Sequence, residues 1–347
     1  MGKKIRVILV DDSAVVRRQL QSILATEHDI EIHSTAIHGR MALDMIEQSR
    51  PDVVVLDVEM PIMGGIETLK MIRKQASYLP VIMYSSLTSH GAVVTLEALA
   101  LGADDYATKP THLGGGEDAT SQVRAGLLPK IRACARVKRR GSQLSAMMPT
   151  LAKNRRGQRV DLLAIGASTG GPNAIVSLLQ SITRPLPVPV VIVQHMPPVF
   201  TQIFAERLSS QTMHRVREGV SGELLKAGDI WIAPGDYHME VQRGSGGVVL
   251  ALNQKEKIRF CRPAVDPLFR SLSEIYGANL LAVILTGMGN DGLQGCTDIR
   301  AVGGQSIVQD EASSVVWGMP GVVAKAGLAE QILPLSQLGA EILRRLP

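Results

Sequence analysis

Residues 160–172 read VDLLAIGASTGGP, an apolar run of strand length that enters a glycine-rich turn and continues into a helical stretch. Strand, turn and helix in that order form the repeating unit of an α/β fold. Towards the C-terminus the pattern recurs in VPVVIVQH (188–195) and NLLAVILTG (279–287), followed by helical stretches near 198–208 and from Leu293 onwards. DPLFRSLSEIYG (266–277) reads as a further helix, and DIWIAPGDYHMEV with GVVLALN suggests an inserted β-hairpin around Trp231 to Leu252. The second half is expected to be a doubly wound α/β domain with a mainly parallel sheet.

Working back from residue 160, the stretch 137–158, VKRRGSQLSAMMPTLAKNRRGQ, has no sustained apolar periodicity and reads as a basic linker. Before it, five apolar runs alternate with amphipathic stretches: RVILV, IEIHSTA, DVVVLD, PVIMYS and DDYAT, with helices expected at 14–26, 40–48, 66–75, 92–101 and 118–136. Runs of Val, Ile and Leu without polar alternation are what a strand needs when helices cover both faces of its sheet. A flavodoxin-like, five-stranded parallel sheet follows. The expected domains are 1–136, the linker 137–158, and 159–347.

Composition narrows the function classes. The 347 residues are 45% hydrophobic and 20% charged, as in a folded soluble protein. Aromatic residues make up 3%, too few to supply stacking platforms for single-stranded nucleic acid. The net charge of +5 comes from one segment: residues 124–159 carry eleven Lys and Arg and no acid, leaving the remainder at −6. A nucleic-acid-binding domain would carry that charge on its folded surface, so no nucleic-acid partner is expected. Three cysteines with no CxxC spacing indicate neither a disulfide framework nor a zinc site, which fits a reducing, cytoplasmic setting. The apolar run near the N-terminus is too short for a signal peptide, and no stretch approaches the ~18 residues of a membrane helix, so no membrane insertion is expected.

In a doubly wound sheet, ligands bind at the carboxyl ends of the strands. In the first half those ends carry Asp11 and Asp12, Asp57, Ser85 and Ser86, and Lys109 before Pro110. Clustered carboxylates repel unless a cation neutralises them, and all-oxygen ligands with room for water suit Mg2+. Asp57 is then a nucleophile for a phosphoryl group, Lys109 neutralises the incoming charge, and Ser85 hydrogen-bonds the phosphoryl oxygens. Any one of these acids alone reads as well as a helix N-cap.

In the second half, Gly166, Ser168 and Gly170 satisfy G-x-S-x-G, a turn that lifts a serine hydroxyl clear of the sheet. A plainer alternative has Ser168 capping the next helix. His195 is the one histidine of this half that ends an expected buried strand, which makes it the candidate base; Asp291, on TGMGNDG, is the orienting acid or another helix cap. The chain order Ser, His, Asp differs from the usual α/β-hydrolase order. A dinucleotide loop is disfavoured because Ser168 stands where that fingerprint needs its second glycine.

DDS (11–13), LDVEMP (56–61), the Ser85 strand end and TKP (108–110) resemble the response-regulator receiver domain. The resemblance implies Asp57 as phosphoacceptor, Asp11, Asp12, Asp57 and the Glu59 carbonyl as the Mg2+ site, and Ser85, Tyr106 and Lys109 as the switch. IGASTGGP, VQHMPP, IAPGDYH and ILTGMGNDG resemble the catalytic domain of the CheB family of chemotaxis protein-glutamate methylesterases. That resemblance implies Ser168, His195 and Asp291 as catalytic residues, and Thr169 with the Met288 N–H as oxyanion donors. It also implies hydrolysis of glutamate γ-methyl esters, and deamidation of glutamines, on methyl-accepting chemoreceptors. The expected phosphodonor is a CheA-type histidine kinase, and no cofactor is expected for the ester chemistry. An alternative is a related two-component esterase serving a non-motility pathway. A transcriptional regulator would need a helix-turn-helix after the linker, and none is evident.

Overall fold

The computed structural model describes residues 3–76, 78–110, 117–140 and 158–347. The chain forms two compact units that divide at residue 144. In the first, the elements run β1 (Ile5–Val10), α1 (Ala14–Ala25), β2 (Ile30–Ala36), α2 (Gly39–Ser49), β3 (Val53–Asp57), α3 (Gly65–Gln75), β4 (Val81–Ser85), α4 (Ser89–Ala100), β5 (Asp105–Thr108), α5 (Glu117–Gly126) and α6 (Leu128–Arg140). The five strands are parallel in the order β2-β1-β3-β4-β5. Alternation across the pleat sends Val7, Leu9, Val53, Val55, Ile82 and Tyr84 into a core with α1, α5 and α6. Their neighbours Ile8, Val10, Val54, Leu56 and Met83 are equally buried, so both faces are covered.

The expected helix 118–136 is two helices that meet at Leu127, and the second extends beyond the expected boundary to Arg140. Leu128, Ile131, Cys134 and Ala135 form its apolar stripe, buried on the sheet. Part of the basic segment is therefore folded surface. Arg132 bonds Glu27 and Asp29, Lys130 bonds Asp105 and the Tyr106 carbonyl, and Arg124 lies against Glu27 and Thr26. The rest of the expected linker, 141–157, lies outside the described residues.

The second unit runs β6 (Leu162–Ala167), α7 (Gly171–Ser181), β7 (Val190–Gln194), α8 (Phe200–Gln211), β8 (Val216–Glu218), β9 (Ile230–Ile232), β10 (His238–Gly244), β11 (Gly247–Asn253), α9 (Val265–Tyr276), β12 (Leu280–Ile284), α10 (Leu293–Ala301), β13 (Gln305–Gln309), α11 (Met319–Lys325), β14 (Gln331–Leu333) and α12 (Leu335–Arg345). Seven strands form a sheet in the order β14-β13-β12-β6-β7-β9-β8, and every pairing in it is parallel. The hairpin is β10 and β11, antiparallel and separate from the sheet. Trp231, expected in the hairpin, belongs instead to β9, where its ring is buried under the Arg217 guanidinium at 4.1 Å. No helix among the described residues is long and apolar enough to cross a membrane.

The strand order reverses between β1 and β3 in the first sheet and around β6 in the second, whose far edge also exchanges β8 and β9. Loops leaving adjacent strands to opposite sides open a crevice there, so the two reversals fix where sites can form. In the second unit the helix covering that region is held by Phe269, fully buried on α9 among Leu162, Leu280 and Ile284. Phe269→Ala should cost about 3–5 kcal/mol of stability, read as a lowered urea midpoint; an unchanged midpoint would show that α9 is not held by this contact.

Candidate functional sites at the two strand-order reversals

In the first unit, β1 ends in Asp11 and Asp12 and β3 in Asp57, so the reversal point places three carboxylates together. One oxygen from each lies within 4.8 Å of the others, the only such group of three potential metal ligands among the described residues. Lys109, reached from β5, bridges Asp11 at 2.9 Å and Asp57 at 2.8 Å. The cavity here, about 220 Å³, is lined by Asp12, Asp57, Val58, Glu59, Ser86, Gly91 and Lys109. Burial, and then the Asp11 charge, push the Asp57 carboxyl up to about 6 against the opposing pull of Lys109. Burial would lower Lys109, but its bonds to Asp57 and Asp11 outweigh that and hold it above its ordinary value.

The donor set fits Mg2+: hard carboxylate oxygens, a partly open cavity, and one lysine for more than one acid. Glu59 lines the cavity, while its side chain is exposed and faces His90 at 3.3 Å. Ser85 is fully buried, with its hydroxyl on the Gly91 carbonyl at 3.2 Å, and Ser86 is the serine that lines the cavity. Tyr106 is buried, with the Lys130 ammonium 4.8 Å from its ring centre.

In the second unit, Ser168 follows β6, His195 follows β7, and Asp291 follows β12 on the loop before α10. Gly170, at φ +74°, turns the chain into α7 in a conformation L side chains rarely adopt. Gly287 lets the β12 loop reach the serine turn, since a Cβ there would come within 2.9 Å of the Ser168 Cβ. The rims are tied by the Ser168 N–H to the Thr286 carbonyl, the Thr286 hydroxyl to the Thr169 carbonyl, and the Gln194 amide to the Ser168 carbonyl.

Asp291 is buried and accepts from the N–H groups of Val265, Asp266 and Gly292, and its Oδ2 lies 2.7 Å from His195 Nε2. Burial alone would raise its carboxyl, but the His195 contact and the backbone donors outweigh that and hold it below the usual carboxylate range. The structure therefore brings His195 and Asp291 together. Ser168 stands on the adjoining strand end, half-buried, and among the described residues its hydroxyl bonds neither His195 nor any other group. The other histidine nitrogen, Nδ1, lies 3.5 Å from the sulfur of Cys261. Burial would lower His195, but Cys261 and Asp291 outweigh it and raise the imidazole to about 10.

Thr169 has a buried hydroxyl with no hydrogen-bond partner, and the Met288 N–H bonds no acceptor among the described residues. Both are donors without acceptors on the serine rim. Several site residues carry no signal in the sequence. Cys261 arrives on a turn between Ile258 and Arg262. Asp266 lies behind Asp291, accepts from the N–H groups of Gly292 and Gly295, and pairs with Arg259 at 2.9 Å. Gln194 had a positional hint, as the neighbour of His195 in VQH.

A family model described as CheB methylesterase matches residues 163–342, and one described as response regulator receiver domain matches residues 7–117. A protein-glutamate methylesterase/protein-glutamine glutaminase from Trichodesmium erythraeum is 49% identical over 99% of this chain and 99% of its own length. A protein of the same description from Nocardioides is 47% identical over 99% of this chain and 95% of its own length. The crystal structure of the Thermotoga maritima CheB methylesterase catalytic domain is similar at TM-score 0.52 and 39% identity, covering 53% of this chain and 97% of that one.

The raised Asp57 carboxyl carries a pH signature. Its folded value of about 6 lies above the ordinary 3.8, so the folded state binds this proton more tightly than the unfolded one. Stability is therefore lost as pH rises through that window, and the loss persists at neutral pH. Asp57→Asn removes the charge while Lys109 keeps Asp11. It should stabilise the first unit at pH 7 by on the order of 1–2 kcal/mol, with the gain fading below about pH 4. Thermal unfolding at the two pH values checks this; a variant less stable than wild type at pH 7 contradicts it.

Proposed function

Because the chain belongs to the CheB methylesterase family and couples that domain to a receiver, we propose that it is a phosphorylation-regulated protein-glutamate methylesterase. Its substrates are glutamate γ-methyl esters on the cytoplasmic helices of methyl-accepting chemoreceptors. The same acyl chemistry, with ammonia in place of methanol, serves the glutaminase activity in the relatives' description. The observation that carries the reading is the His195 imidazole held by a buried, charged Asp291 beside a serine on a glycine turn.

In this reading Ser168 Oγ attacks the ester carbonyl and its proton passes to His195. Since Nε2 faces the charged Asp291, Nε2 carries the fixed proton and Nδ1 is the accepting nitrogen. The negative carbonyl oxygen is met by the Thr169 hydroxyl and the Met288 N–H, the two donors the fold leaves unmatched. His195 returns the proton to the departing methanol, and water, deprotonated by the same nitrogen, cleaves the acyl-enzyme. Asp291 keeps the imidazole in place and balances its transient charge.

In the receiver, Asp57 is the phosphoacceptor, served by a histidine kinase of the CheA type. Asp11, Asp12, Asp57 and the Glu59 carbonyl would hold Mg2+, which supplies charge neutralisation for the incoming phosphoryl group. Lys109 faces the same oxygens. Ser85 must turn from the Gly91 carbonyl to reach them, and with Tyr106 it relays the change. The receiver restrains the esterase, and phosphorylation, adding about two negative charges at one rim, releases it.

Methanol release from methyl-labelled receptor membranes tests the enzyme reading. Ser168→Ala and His195→Ala should each abolish it, and the double variant should be little worse, because the residues act as a unit. Substantial release by Ser168→Ala refutes the assignment. Labelling from acetyl phosphate should require Asp57 and lose its Mg2+ dependence in Asp12→Ala; unchanged labelling of Asp57→Ala refutes the receiver reading. Removing residues 1–140 should raise basal release and abolish activation by the phosphodonor. A fragment no faster than the unphosphorylated full chain rules out restraint by the receiver.

A further inference from the structure

His195 has two ring nitrogens, and both have partners. Nε2 faces Asp291 at 2.7 Å, and Nδ1 faces the Cys261 sulfur at 3.5 Å. The nitrogen that must receive the Ser168 proton is thus already in contact with a thiol, and Ser168 is not bonded to it. Cys261 is delivered there by a tight turn. Ile258 and Cys261 exchange backbone hydrogen bonds of 3.0 and 2.9 Å, and the two residues between them, Arg259 and Phe260, have φ of 50° and 66°. Neither is glycine, so the turn is held in a costly conformation. Arg259 pins it to the catalytic loop through Asp266 and the Asn290 carbonyl.

We infer that Cys261 is a positioning residue of the esterase, which occupies the accepting nitrogen of His195 in the resting enzyme and must release it before Ser168 can pass on its proton. The inference rests on the reading of Ser168 as nucleophile and His195 as base. The proton in the contact has two seats. On sulfur it makes a neutral thiol that donates to Nδ1; moved to Nδ1 it leaves a thiolate beside an imidazolium, and nothing else is consumed. The charged groups facing the imidazole favour a proton on the ring. Asp291 stands on Nε2 and is kept charged by three backbone donors, while Asp266 behind it is balanced by Arg259. Burial opposes the charged form, and Cys261 with Asp291 outweighs it. A ring that holds its proton more tightly becomes a base only at higher pH, so this contact displaces the onset of activity towards alkaline pH.

The test uses the full chain, with kcat/KM on methyl-labelled receptor membranes followed from about pH 5 to 10. Cys261→Ala and Cys261→Ser both remove the sulfur from Nδ1. In each, the pH at which kcat/KM reaches half of its own plateau should fall by about one unit or more. That midpoint is independent of plateau height, so a merely structural loss of activity would leave it in place. Midpoints equal to wild type in both variants overturn the inference. Should neither variant fold, nitrogen-15 NMR of the wild-type His195 ring decides: both nitrogens protonated near neutral pH support it, and a neutral ring overturns it. Ser168→Ala, measured alongside, separates the two readings. If it is inactive while the midpoints coincide, only the Cys261 inference fails. If it is active and Cys261→Ser is not, the serine reading fails and takes this inference with it.

Discussion

The Asp291 carboxylate is removed from water and yet stays charged, because the N–H groups of Val265, Asp266 and Gly292 and the His195 ring replace the hydration it loses. An unpaired buried carboxylate would simply take up a proton. The arrangement of the proposed catalytic rim follows from its remaining ionised. In the proposed mechanism it assigns the fixed proton to Nε2, leaves Nδ1 as the accepting nitrogen, and supplies the charge against which an imidazolium can form. It also joins the start of α9 to the loop before α10, so its donors hold the fold of the rim as well as its charge.

The receiver shows the opposite outcome from similar materials. Asp57 is as buried as Asp291 and sits at an equivalent reversal of strand order, yet its carboxyl is pushed up and that of Asp291 is pulled down. The difference lies in the neighbours. Asp57 has one backbone donor, Val58, and shares Lys109 with the like-charged Asp11. Asp291 has three backbone donors and a histidine. One carboxylate is left short of positive charge, which suits a site that gains a cation and a phosphoryl group; the other is fully supplied, which suits a residue that never changes its role.

The strand runs that position the sites were legible because burial on both faces demands unbroken Val, Ile and Leu, as in VVVLD, LLAIGA and LLAVI. The strands towards both ends of the second sheet were not: QSIVQ in β13 and QIL in β14 are short or flanked by polar residues, and IWI in β9 lies beside the hairpin that seemed to claim it. The charges of VKRR masked the end of α6, although the stripe Leu128, Ile131 and Ala135 already had helical spacing. Among site residues, Ser168, His195, Asp57 and Lys109 sit at strand ends, and Asp291 on the glycine-rich loop that leaves β12, where topology makes position readable. Cys261 and Asp266 reach the rim through a turn and a helix start far away in the chain, and no local pattern marks that approach.

The central claim is that the rim is built to make Ser168 the nucleophile. Intact-protein and peptide mass spectrometry after treatment with a phosphonofluoridate tests it directly, because such a reagent records which side chain attacks with the help of the base. The account predicts a single adduct, on Ser168, that is lost in His195→Ala. An adduct on Cys261, or one on Ser168 that forms equally well without His195, would contradict it.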